Sequence, residues 1–141
     1  MQHVRLAFVN ERLLAEDEVK ALRLRGLYRA PPQEEWRRAL YQAADILEHL
    51  GWCRSTLERG RRHCALGAIL AAYNQGEVEY QGAAASDLLR EAGVKWMVGK
   101  VTSQLTHLTD LSERGLMGWN DNVAKDGKEV AALLRAAAAQ R

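Results

Sequence analysis

Between residues 36 and 50 the apolar positions Trp36, Leu40, Ala43, Leu47 and Leu50 recur at spacings of four, three, four and three. That period lays one apolar stripe along a helix face. Ile46 widens the stripe, while Arg37, Arg38, Asp45 and Glu48 fall elsewhere. Pro31 and Pro32 stand where a first turn misses no amide donor, and Glu34 and Glu35 where the positive end of the helix dipole favours carboxylates. Gly51 is a stop signal. The pattern predicts a helix over 31–50 that packs on a core.

The rest of the chain is also mostly helical in its patterning. Residues 10–25 predict a helix capped by Asn10 and ended by Gly26, with a short strand or turn over 3–9. Residues 52–62 read as a connecting loop with a small hairpin around Gly60. "CALGAILAAYNQG", from Cys64 to Gly76, is almost wholly apolar, so its helix is buried on most sides. A glycine in a helix costs about 1 kcal/mol relative to alanine, so Gly67 is expected to mark a close helix crossing. Ser86 and Gly93 bracket a short helix. Met97, Val101, Leu105 and Leu108 then mark one longer helix or two short ones. "GWNDN", residues 118–122, is turn chemistry and predicts a polar loop over 118–126. Asp126 with Glu129 resembles a capping box, opening a last helix on Val130, Leu133, Leu134 and Ala137. The expected fold is all-α: a single compact domain over 1–141, a bundle of five or six helices with room for a small β-hairpin. Residues 1–30 form an N-terminal helix and extension, and 31–141 the core.

Composition adds limits. Of 141 residues, 48% are hydrophobic and 27% charged, which are ordinary globular values. The start, "MQHVRLAFVNERLLAEDE", lacks the apolar run of a secretory signal. No segment approaches the roughly 18 to 20 apolar residues of a membrane span. The expectation is a cytoplasmic chain with reduced thiols. A net charge of +2 does not point to a nucleic-acid partner. Residues 1–64 hold 12 Lys and Arg against 9 Asp and Glu (+3), the remainder 8 against 9 (−1). The densest basic patch is Arg54, Arg59, Arg61 and Arg62, and arginines grip phosphate through planar bidentate contacts.

Candidate chemistry gathers in "GWCRSTLERGRRHCALGAIL", residues 51–70, which holds both cysteines. His49, Cys53, His63 and Cys64 are conceivable zinc ligands, but no CxxC is present and His63 and Cys64 are adjacent, so no metal or cofactor is expected. A Cys53–Cys64 disulfide is geometrically feasible and, in a reducing compartment, would be absent or regulatory. Cys64 at a helix start beside Arg61, Arg62 and His63 has the surroundings that lower a thiol pKa. His107 is then a candidate base, with Asn120 or Asp121 orienting it. The opposing reading makes both cysteines buried packing residues. The helix start after the arginines also suits a small anion. Trp52 and Trp119, each beside a glycine, either line a pocket or lid the core.

Residues 36–72 and 116–137 together resemble an uncharacterised family of small proteins of actinobacteria and their phages, a domain-of-unknown-function group. The motifs that carry the resemblance are "GWC" (Trp52, Cys53), "CALGA" (from Cys64) and "WND" (Trp119, Asn120, Asp121), then the helix from Glu129 to Ala138. The resemblance implies a phage or prophage setting and brings no activity. It also implies that the three motifs converge at one end of the bundle, with Asn120 or Asp121 capping the helix that starts near Cys64. The function expected is a non-enzymatic binding protein that docks a protein partner or holds a small anionic ligand. Its binding residues would be Trp52, Arg54, Arg61, Arg62, Trp119, Asn120 and Asp121. The alternative is a small cysteine-dependent hydrolase or transferase using Cys64, His107 and Asp121.

Overall fold

The computed structural model describes residues 33–74 and 85–140. The expected elements over 3–9 and 10–25, the prolines at 31 and 32 and the stop at Gly76 lie outside the described residues. The elements are α1 (Gln33–Leu50), β1 (Glu58–Arg59), β2 (Arg62–His63), α2 (Ala65–Tyr73), α3 (Ala85–Thr102), α4 (Glu113–Asn122) and α5 (Gly127–Ala139). The protein is mostly helical, with one two-stranded antiparallel hairpin among the described residues.

The stripe of α1 does what its period demands. Trp36, Leu40, Ala43 and Leu47 are buried, joined by Ala39 and Ala44. Gly51 ends the helix at φ 108°, a left-handed conformation that a side chain would strain. α5 returns antiparallel along α1, burying Val130, Ala131, Leu134, Ala137 and Ala138. At its far end Arg37 Nε donates to the Ala138 carbonyl at 2.7 Å. Arg135 pairs with Asp45 and Glu48 across the same two helices. These last pairs are exposed and contribute little; the apolar contact holds the helices together. Asp126 caps α5, its Oδ1 accepting from Glu129 N at 2.8 Å. The reciprocal bond of the capping box lands one residue early, from Lys125 N to Glu129 Oε1.

α2 is the middle of the core: Ala65 to Ala71 are all buried, with Leu66 and Ile69 fully so. α1 packs on one side of it, and α3 and α4 on others. Trp36 of α1 meets Trp96 of α3 with ring centroids 5.1 Å apart, and Lys100 lies over both rings.

Three expectations need correction. Gly93 does not stop a helix; α3 runs through it unbroken. A Cβ there would stand 2.6 Å from Tyr73 Oη, so the glycine admits a neighbour instead. The helix does not extend to Leu105 and Leu108. It ends at Thr102, whose Oγ1 lies 2.8 Å from the Leu111 carbonyl and 2.9 Å from that of Val98. Leu105 and Leu108 still pack on the core from the turns beyond. Finally, Trp119, Asn120 and Asp121 are not in a loop but in the closing turns of α4.

Candidate functional site

The reason α4 tolerates so poor a helix sequence lies in Asn120. Its side chain is fully buried, and every polar position on it is used. Oδ1 accepts from Trp52 Nε1 at 2.7 Å and from the Ala65 amide at 2.9 Å. Nδ2 donates to the Cys53 carbonyl at 3.1 Å and to Asp121 Oδ1 at 2.9 Å. Asp121 Oδ1 also accepts from the Ser55 amide at 2.8 Å. One amide thus joins "GWC", the start of "CALGA" and "WND". The convergence and the cap on the helix after Cys64 are both present.

The backbone leading to this point is shaped locally. Past Gly51 the chain is extended, and Trp52 forms an isolated parallel bridge with His63. Its hydrogen bonds run from Cys53 N to the His63 carbonyl at 3.0 Å and from His63 N to the Gly51 carbonyl at 3.1 Å. The hairpin turns at Gly60, φ 62°, between Arg59 and Arg62. Its base presses onto α2: the Leu57 carbonyl accepts from Cys64 N at 3.2 Å and lies 1.9 Å from where a Cβ on Gly67 would stand. Gly67 therefore marks a close approach of loop backbone, not the helix crossing that its position suggested.

Arg54 closes the outside of the cluster. Its guanidinium donates to the Ala124 carbonyl at 2.7 Å and lies 4.5 Å from the centre of the Trp52 ring. Trp52 also rests against the start of α5, where a Cβ on Gly127 would stand 2.8 Å from Trp52 Cβ. Trp119 is buried in the core cluster.

Both cysteines are free and buried, Cys53 6% and Cys64 3% exposed. Burial raises both thiol pKa values, that of Cys64 to about 11. Cys64 Sγ accepts from Gly67 N at 3.3 Å, so the sulfur is itself the N-cap of α2. Cys53 Sγ points to the Thr56 carbonyl at 3.6 Å. His107 is exposed in the turns after α3, and among the described residues no hydrogen bond joins it to Cys64 or Asp121. Nor does any group of three or more His, Cys, Asp or Glu form a metal-holding set among the described residues.

Arg59, Arg61 and Arg62 are exposed on the hairpin and enter no ion pair among the described residues. The neighbouring acid, Glu58, instead faces the buried His63, with Oε2 3.3 Å from Nε2. His63 Nδ1 lies 3.0 Å from the Arg61 carbonyl, which fixes the ring under the turn.

Sequence reasoning passed over Ser55, whose φ of 71° aims its amide at Asp121, and the Ala124 carbonyl that receives Arg54. Neither leaves a signal in residue type. It also passed over Glu113, 4% exposed at the start of α4, with no hydrogen-bond partner for Oε1. Burial raises its pKa to about 7, against a lowering influence from Lys95.

A family model described as "Family of unknown function (DUF6197)" matches residues 31–140, and the chain belongs to that family. No curated protein and no solved structure matches it. Among the described residues no helix is long and apolar enough to cross a membrane.

Proposed function

We propose that this member of a family of unknown function is a non-enzymatic binding protein, a single-domain adaptor whose basic hairpin docks the acidic face of a protein partner. The observation that carries the reading is a division of labour at one end of the bundle. Arg54, Asn120, Asp121 and both thiols are spent on internal bonds, whereas Arg59, Arg61 and Arg62 stand exposed without an acidic partner among the described residues. A rigid frame that displays three arginines at the tip of a two-residue turn suits recognition of carboxylates or phosphates. A small phosphate-bearing ligand on the same arginines is the nearest variant. The cytoplasm, in the phage or prophage setting that the family resemblance implies, is the natural compartment. The thiol-enzyme alternative finds less support. A buried thiol with a raised pKa is a poor nucleophile, and Cys64 is occupied as a cap.

The test is a titration of the native protein with an acidic peptide and, separately, with inorganic phosphate, following amide NMR shifts. The reading expects shifts confined to the hairpin and the adjoining loop that vanish at high salt and in R59E/R61E/R62E. Unchanged spectra with both probes would sink it.

A further inference from the structure

We infer that Arg59 and Arg62 form a two-arginine clamp for a phosphoryl dianion carried on a side chain of the protein partner, an inference that rests on the docking reading above. The register of the hairpin carries it. Arg59 stands directly opposite Arg62, and Glu58 opposite His63. Side chains alternate along a strand, so the two arginines share one face and the Glu58–His63 pair takes the other. Directly opposed residues hold their Cβ atoms about 4.5 to 5.5 Å apart, and like charges so placed destabilise the ladder. The hairpin's own acid does not relieve them, because Glu58 Oε2 lies 3.3 Å from His63 Nε2. Arg37, Arg54 and Arg135 each donate to an acceptor within the chain, whereas Arg59 and Arg62 find none among the described residues.

Arg62 is also partly set in place. A Cβ on Gly51 would stand 3.0 Å from Arg62 Cγ and 3.6 Å from its Cδ, so the arginine stem lies along bare backbone. The left-handed φ of Gly51, 108°, keeps that position free of a side chain. Holding the stem lowers the ordering cost of binding. A carboxylate brings a single negative charge, which one guanidinium satisfies bidentately. A phosphate monoester at neutral pH carries close to two charges and three acceptor oxygens. That is enough to engage both guanidiniums and cancel their repulsion, and arginine clusters are a recurrent means of reading phosphorylated side chains. Arg61 sits in the turn rather than in the ladder, its carbonyl 3.0 Å from His63 Nδ1. It therefore attracts anions in general without belonging to the clamp.

The test is isothermal titration of wild type, Arg59→Gln, Arg62→Gln and Arg61→Gln. The probes are aspartate-flanked peptides that differ only in a central serine, glutamate or phosphoserine, and inorganic phosphate alone. Wild type should bind the phosphoserine peptide at least about tenfold more tightly than the glutamate peptide. Arg59→Gln and Arg62→Gln should each erase that preference. Arg61→Gln should keep it while weakening all the peptides alike. In buffer free of polyvalent anions, Arg59→Gln should melt no lower than wild type, since it removes an opposed like charge. Equal affinity for the phosphoserine and glutamate peptides would overturn the clamp and leave the docking reading standing. Loss of the preference in Arg61→Gln would do the same. A lower melting temperature for Arg59→Gln would reveal an internal partner and also overturn the clamp. Phosphate alone binding as tightly as the phosphoserine peptide would overturn the partner-borne source. Silence of every peptide would remove the docking reading itself, and the clamp with it.

Discussion

At the scale of single residues, Asn120 holds more of the structure than any charge does. A buried donor or acceptor left unpaired costs about 1 to 3 kcal/mol. Asn120→Ala strands the Trp52 indole, the Ala65 amide and the Cys53 carbonyl together. The expected loss is on the order of 3 to 5 kcal/mol, read as a fall in the urea midpoint, with the Trp52 fluorescence losing its native position. The sequence indicated Asn120 or Asp121 as a cap because Asn and Asp are residues that satisfy free amides. It left open which of the two does so, since the choice depends on α4 presenting position 120 inward and 121 to Ser55. Ser55 and the Ala124 carbonyl were illegible because their roles reside in backbone direction, which residue type does not encode.

At the scale of elements, glycine separates what pattern reveals from what packing decides. Gly99 lies within α3 with nothing within 4 Å of an added Cβ. Gly99→Ala should therefore stabilise by about the helix-propensity difference, ~1 kcal/mol. Gly67→Ala carries the same propensity gain but drives a Cβ into the Leu57 carbonyl, which also accepts from Cys64 N. It should destabilise by on the order of 3 kcal/mol. Opposite shifts in melting temperature for the two variants are the check. α1, the hairpin at Gly60 and the Asp126 cap were legible because each is written in local chemistry: a stripe, a left-handed turn, a carboxylate before free amides. α4 was not. Gly118, Asn120, Asp121 and Asn122 argue against a helix one by one, and the bonds that overrule them come from residues more than 50 positions away.

At the scale of the whole molecule, the all-α architecture was legible, since helical periods dominate the chain, but the buried carboxyl that couples its stability to pH was not. "SERG" reads as surface, yet Glu113 is buried with a pKa raised from 4.5 to about 7. A carboxyl whose pKa is raised by folding favours the folded state fully below its unfolded pKa. That contribution is lost as pH rises from about 4.5 to about 7, and amounts to about 3 kcal/mol. Urea midpoints should therefore fall between pH 5 and pH 8, and Glu113→Gln should flatten that fall and be the more stable of the two at pH 8. The bond between the Ala65 amide and Asn120 has a temporal consequence as well. The two residues lie 55 positions apart, and α2 carries no acidic side chain in its first turn. On a ribosome, domains form as their chain emerges, yet here the most apolar helix of the core leaves the exit tunnel with only the Cys64 sulfur to cap it, long before Asn120 arrives to take the Ala65 amide. The nascent N-terminal half must wait, hydrophobic and unfinished, until α4 has been synthesised.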